Sequence, residues 1–258
     1  MTIEANLQWA ILVMLVSVRT GAVFWLFSSL GGVRLPTQFR VLLVLALSMA
    51  LAGAVHPALR MEAISLAALV AAVAREALIG GAMGLMLSAL FAAMHFGGQL
   101  LDTQIGFGLA NLIDPITRAQ APLLGVVLNL AALMVFFGLD GPHWMIRGLA
   151  ASLESLPPGD SFGALPGAAA LASAVSVPVG YVFAYGLAAV APAVMGVLLV
   201  DIGFAVLSRT VPQMNVLIVS IPAKILVGLG LFALCLPFMA PLVEHLLRLT
   251  FGLWSALR

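Results

Sequence analysis

Long apolar runs leave this chain few ways to fold. Leu7–Leu30, Val41–Val55, Ile64–Phe96, Leu123–Leu139, Ala168–Leu207 and Val216–Leu247 are each interrupted by few charges or none. Crossing the hydrocarbon of a bilayer takes on the order of twenty mostly apolar residues in a helix. The pattern predicts an all-α polytopic membrane protein of about six long tilted or kinked helices, built as helical hairpins, with one short amphipathic helix. A soluble alternative fails on surface: of 258 residues 63% are hydrophobic and 8% charged, against roughly 25% charged in an ordinary soluble domain. Eleven basic and ten acidic side chains cannot coat a water-facing exterior. A net charge of +1 gives no electrostatic case for nucleic acid.

The breaks between the runs define the organisation. Gly31-Gly32 and the polar segment Arg34–Arg40 end the first run, with Pro36 opposing helical continuation, and His56-Pro57 closes the second. The third, Ile64–Phe96, exceeds one perpendicular span and carries Arg75-Glu76, so it is expected to tilt or to begin outside the apolar zone. Asp140-Gly141-Pro142 ends the fourth with strong turn chemistry, and His143–Leu156 reads as the amphipathic helix. Ser155–Gly167, SLPPGDSFGALPG, loses all periodicity and marks a boundary between parts 1–165 and 166–258. Beyond it, two long runs joined by SRTVPQMN form a helical hairpin. The start, MTIEANLQWA, lacks a signal peptide's basic region and is expected to remain as helix. Arginines fall on both sets of alternating loops, so their distribution assigns no orientation.

One interval fits neither lipid nor water. Gly97–Pro122 reads GGQLLDTQIGFGLANLIDPITRAQAP, with Asp102, Gln104, Asn111, Asp114, Thr117, Arg118 and Gln120 interleaved among Phe107, Leu109, Leu112 and Ile113. Gly106 and Gly108 bracket Phe107 with backbone freedom, and Asp114-Pro115 sets a turn. Irregular backbone at membrane depth is tolerated only when buried in protein or lining a cavity. The interval is therefore expected to be a re-entrant or pore-occluding loop with an apolar tip.

Few side chains offer chemistry. Arg19 lies near the middle of the first run, where an ionisable group is either functional or paired within the bundle. Glu76 is its natural partner, because adjacent Arg75 and Glu76 cannot face each other on a helix. A proton relay would show several carboxylates in series, so a structural pair is the better reading. Asp201 and Lys224, one on each arm of the C-terminal hairpin, would form a coupling site in a transporter; the plainer expectation has them meet helix ends or partner chains. Arg209 and Lys224 are thus grouped with Arg19 and Glu76 as structural charges. His56, His95, His143 and His245 lack metal-ligand spacing, lone Cys235 forms no disulfide framework, and Ser88 and Ser208 lack a nucleophile motif. No catalytic residue, metal or cofactor is expected. Gly80, Gly81 and Gly84 form a small-residue stripe for close helix approach, and Pro178, Pro192, Pro222, Pro237 and Pro241 are expected to bend their helices.

Several of these blocks together resemble the FliR family of flagellar type III export-apparatus proteins, whose injectisome counterparts are called SctT. The matching features are Arg19-x-Gly21, Arg75-Glu76 ahead of the glycine stripe, GGQLLDTQIGFGLANLIDP, and SRTVPQMNVLIVSIPAKILVGL. The resemblance implies a non-enzymatic subunit of an export gate in the bacterial inner membrane at the flagellar basal body. It would assemble with FliP and FliQ homologues, contact an FlhB homologue and membrane lipid, and pass unfolded exported proteins. Residues 1–165 would be FliP-like and 166–258 a FliQ-like hairpin. A plug would occupy Gly106, Phe107, Gly108, Leu109, Leu112, Ile113, Asp114 and Pro115, anchored by Gln99, Asp102 and Gln104. A loop that merely packs between subunits would need the same apolar contacts. The competing functions are an independent small-solute transporter, which predicts an internal repeat and a midplane polar site, and an intramembrane hydrolase, which needs a paired nucleophile and base.

Overall fold

The structure is a computed structural model describing residues 2–30, 36–54, 66–107, 122–158, 168–211, 213 and 215–255. Its elements are helices: α1 (Thr2–Leu30), α2 (Thr37–Ala54), α3 (Leu66–Ile105), α4 (Leu123–Gly138), α5 (Gly141–Ser155), α6 (Ala168–Thr210) and α7 (Val216–Ser255). The all-α class and the short amphipathic helix, α5, are as the sequence predicts. Four of the described helices are long and apolar enough to cross a membrane, or five if α4 and α5 count as one broken span.

Two boundaries differ from expectation. The second helix begins at Thr37, just after Pro36, and not at Val41: the Pro36 carbonyl accepts the Arg40 amide at 3.1 Å, and Thr37–Arg40 form the first turn. A proline just ahead of a helix loses nothing, because first-turn amides have no intrahelical partner anyway. The prolines expected to bend α6 and α7 lie inside those helices, which run for 43 and 40 residues. Most consequentially, α3 does not stop at Phe96. Gly97–Ile105, read from the sequence as the start of a loop, are helical, giving α3 40 residues and a length of about 60 Å.

The reason α3 passes through Gly97-Gly98 is packing. A Cβ on Gly97 would collide with the Gly186 carbonyl oxygen of α6, and one on Gly98 with the backbone of Leu124 and Gly125 in α4. These glycines let backbones touch. Gly81, by contrast, faces open space, so the functional part of the predicted stripe is Gly80 and Gly84, which press against Arg19 and against Val23 and Leu26 of α1.

The chain divides into two compact units. The first comprises residues 1–89, 140–179 and 246–258; the second comprises 90–139 and 180–245. Both draw on residues from either side of 165/166, and the segment 159–167 lies outside the described residues. In the first unit α1 and α2 pack together, Arg40 Nη2 donates to Ser28 Oγ at 2.6 Å, and Trp144 stacks on Phe251 with centroids 6.0 Å apart. In the second, Phe91 meets Phe136 edge to face at 5.7 Å and Phe96 meets Phe183 at 5.1 Å.

Burial ranks the helices. In the apolar window of α3, 72% of residues are buried, against 17% in α6 and 22% in α7. Thus α3 forms the core, whereas the C-terminal hairpin presents Phe183, Leu199, Leu226 and Phe238 outward. So much outward apolar surface calls for lipid or protein against it.

The glycine contacts yield a direct expectation. Gly98→Ala should destabilise the detergent-purified protein by about 1–3 kcal/mol through overpacking, read as a fall in thermal unfolding midpoint. Gly81→Ala should leave the midpoint unchanged or raise it, since alanine is the better helix former by about 1 kcal/mol.

Candidate functional site

Two polar centres stand out among the apolar helices, one in each compact unit. The first is built on Arg19, in the middle of α1 and fully buried. Its Nε donates to Glu76 Oε2 at 2.5 Å and its Nη2 to Oε1 at 3.0 Å, a bidentate pair between α1 and α3. Nη1 donates to the Ser152 carbonyl at 2.9 Å and to Ser152 Oγ at 3.2 Å, and Nη2 to the Leu156 carbonyl at 2.8 Å. A guanidinium has five N–H donors, and here each has an acceptor. The carbonyls come from the C-terminal end of α5, where unpaired acceptors and the helix dipole favour a cation.

Local sequence explains how the pair closes. Glu76, Gly80 and Gly84 recur every fourth residue and so lie along one face of α3. The two glycines bring α1 to backbone contact, a Cβ on Gly80 being blocked by the Arg19 carbonyl oxygen and Cα. Glu76 is then within reach of Arg19 and is itself buried. The partner expected from the sequence is the one observed. The contribution of α5 is not visible in the sequence, because two of its acceptors are main-chain carbonyls that any residue would carry.

The second centre joins α3 to α4. Asp102, on the last turns of α3 and 5% exposed, accepts the Leu124 amide at 3.2 Å on Oδ1 and 3.0 Å on Oδ2, and the Gly125 amide at 3.4 Å on Oδ2. These are first-turn amides of α4, whose N-cap residue, Pro122, contributes no side-chain hydrogen bond. A residue 22 positions earlier in the chain therefore supplies the cap. One turn after Asp102, Gly106 adopts φ 97°, a left-handed conformation that glycine takes without strain, and the helix ends there.

The other expected site residues fall out as follows. Gln99 is exposed and Gln104 half-buried, and among the described residues Asp102 is the member of that trio seen to bond across to α4. Gly106 and half-buried Phe107 close the described segment; Gly108, Leu109, Leu112, Ile113, Asp114 and Pro115 lie outside the described residues. Lys224 and Asp201 pair with each other across the α6–α7 hairpin, because the two arms bring opposite charges to one level. Arg209 is exposed in the last turn of α6, where the dipole favours a cation.

Comparison with known proteins points one way. The family described as bacterial export proteins, family 1, matches residues 10–250. The flagellar biosynthetic protein FliR of Bacillus subtilis is 31% identical over 176 residues, 68% of this chain and 68% of its own length. FliR of Aquifex aeolicus is 29% identical over 231 residues, 89% of this chain and 87% of its own. The surface presentation of antigens protein SpaR of Salmonella typhimurium is 29% identical over 184 residues, covering 71% and 67%.

The Arg19 centre makes a charge-exchange expectation. Arg19→Glu or Glu76→Arg alone should remove most of the folded protein, since a buried charge left without its partner costs about 3–5 kcal/mol. The double exchange should recover part of the yield of folded, membrane-extracted protein measured by size-exclusion chromatography. No recovery at all would mean that the pair does not act as a unit.

Proposed function

This chain belongs to the bacterial export proteins, family 1, and from that premise we propose that it is the pore-forming and gating subunit of a flagellar type III protein-export gate. The coarser part of that statement follows from the family itself: the protein is a membrane component of a bacterial export apparatus, structural in kind. The finer part is our reading. Unfolded flagellar proteins would cross the inner membrane at the basal body through a channel built with FliP and FliQ homologues and touching an FlhB homologue. The observation that carries this reading is the match over residues 10–250, which reaches all seven described helices.

The mechanism proposed is mechanical. Residues Gly106–Pro115 act as an apolar plug, with Phe107, Leu109, Leu112 and Ile113 as its seal. An apolar constriction blocks water and ions by dewetting, yet it yields to an unfolded chain without breaking strong polar bonds. Two observations support this role: α3 is the most buried of the apolar helices, and Asp102 ties its end to α4. Residues 1–165 would supply the FliP-like part and 166–258 the FliQ-like hairpin, whose outward apolar faces suit sister subunits or lipid. Work would come from other components, because the sequence carries no nucleotide-binding motif.

Deleting Gly106–Leu109 tests the plug. Cells producing the assembled gate with the deletion should leak small solutes or ions while the variant still co-purifies with its partners. Loss of assembly without any leak would show instead that the segment packs subunits together.

A further inference from the structure

We propose that the groove between α6 and α7 at Pro192 is a lipid-chain site: it takes one acyl chain of a phospholipid whose headgroup lies level with Tyr185 and His245. The inference stands on the hairpin and does not depend on the plug reading. Two marks fix where a bilayer meets the hairpin. At one level Tyr181, Tyr185 and His245 cluster, the Tyr185 and His245 ring centroids 6.0 Å apart across the two arms and the two tyrosines edge to face at 5.6 Å. Tyrosine collects at membrane–water interfaces. At the other level Asp201 of α6 pairs with Lys224 of α7, both partly exposed. Between these levels the arms carry no charged or hydrogen-bonding side chain except Glu244, beside His245, and the Cys235 thiol. The band covers 16 residues of α6 and 21 of α7, about 24 and 32 Å at 1.5 Å per residue, against about 30 Å for bilayer hydrocarbon.

Within that band lies a cavity of about 180 Å³. Its floor is Ala189, Cys235 and Met239, all buried, and its rim is Ala188, Pro192 and Phe238, all exposed, so it opens outward. The space exists because α6 sets two alanines and a proline ring opposite the longer Phe238 and Met239 of α7. What fills it follows from the lining. A buried water needs about two to four polar partners, and the lining side chains offer one thiol, a weak donor. Left empty, the cavity would forfeit the dispersion contacts of its walls. Apolar cavities of about 150 Å³ stay dry and take guests of benzene size. A protein partner would bring about one hydrogen bond per 100–200 Å² of interface, which this band has no side chain to receive. An acyl chain asks for none. With its headgroup at the tyrosine level, such a chain reaches the rim at Ala188 about 5 Å further down α6.

The test uses the full chain in phosphatidylcholine nanodiscs, alone and together with the subunits that co-purify with it. The probe is a phosphatidylcholine carrying a diazirine midway along one acyl chain, and labelled residues are located by mass spectrometry. Leu187 and Leu234, exposed at similar depth but outside the groove, report ordinary lipid contact. A chain held on three sides makes several times the dispersion contacts of one on an open face, so groove residues should be labelled about tenfold more than those two, in both preparations. Ala189→Phe fills the floor and should bring groove labelling down to their level. Equal labelling of groove and open face in the parent overturns the proposal, as does undiminished groove labelling in folded Ala189→Phe. Labelling seen in the chain alone but lost with its co-purifying subunits also overturns it, and marks the groove as a socket for a partner's side chain. If Ala189→Phe yields no folded protein by size-exclusion chromatography, Ala188→Trp at the exposed rim decides: lost groove labelling supports the proposal and undiminished labelling overturns it.

Discussion

A guanidinium in the middle of an apolar helix obliges everything near it to answer. Arg19 has five donors and no contact with water, so an uncompensated arrangement would be prohibitive. The first compact unit is arranged around that demand. Helix α3 contributes a bidentate carboxylate, α5 contributes its C-terminal carbonyls and a serine hydroxyl, and the glycines of α3 remove the side chains that would hold α1 away. Replacing such a pair by apolar residues can be neutral for stability. What the polar centre supplies is geometry, because only one register of α1, α3 and α5 satisfies all five donors.

The second unit solves a related problem by different means. Its helices approach through glycine, Gly97 against Gly186 and Gly98 against Gly125, and a single buried carboxylate then tidies the exposed amides of α4. Dispersion forces the approach and the hydrogen bonds select its register. Both units thus combine close backbone contact with a buried polar side chain that bonds across helices.

Much of this was legible before any coordinates. The number and kind of helices follow from run length, the amphipathic α5 from its pattern, and the Arg19–Glu76 pairing from the rule that an intramembrane charge needs a partner. Other features misled for identifiable reasons. Gly97-Gly98 reads as a helix breaker because glycine has that meaning in isolation; its use for contact with α6 and α4 depends on residues far along the chain. Asp201 and Lys224 are visible as one charge per arm, but whether they face each other depends on how the arms rotate. Gln99, Asp102 and Gln104 look equivalent in sequence, and helical phase alone decides that Asp102 points at α4 while Gln99 is exposed.

By itself, then, the sequence determined the class of protein, because apolar runs of this length have no other stable form, and it favoured Glu76 as the partner of Arg19. It also marked Gly97–Pro122 as the interval unlike the rest. Tertiary structure alone decided that helix α3 continues into that interval as far as Ile105, that Asp102 caps α4, and that α5 completes the Arg19 site. The physical reason is common to all three. Backbone amides and carbonyls carry no sequence signature, so a residue that bonds to main chain, as Asp102 does to Leu124 and Arg19 to Ser152, reveals its partner only when the helices are in place.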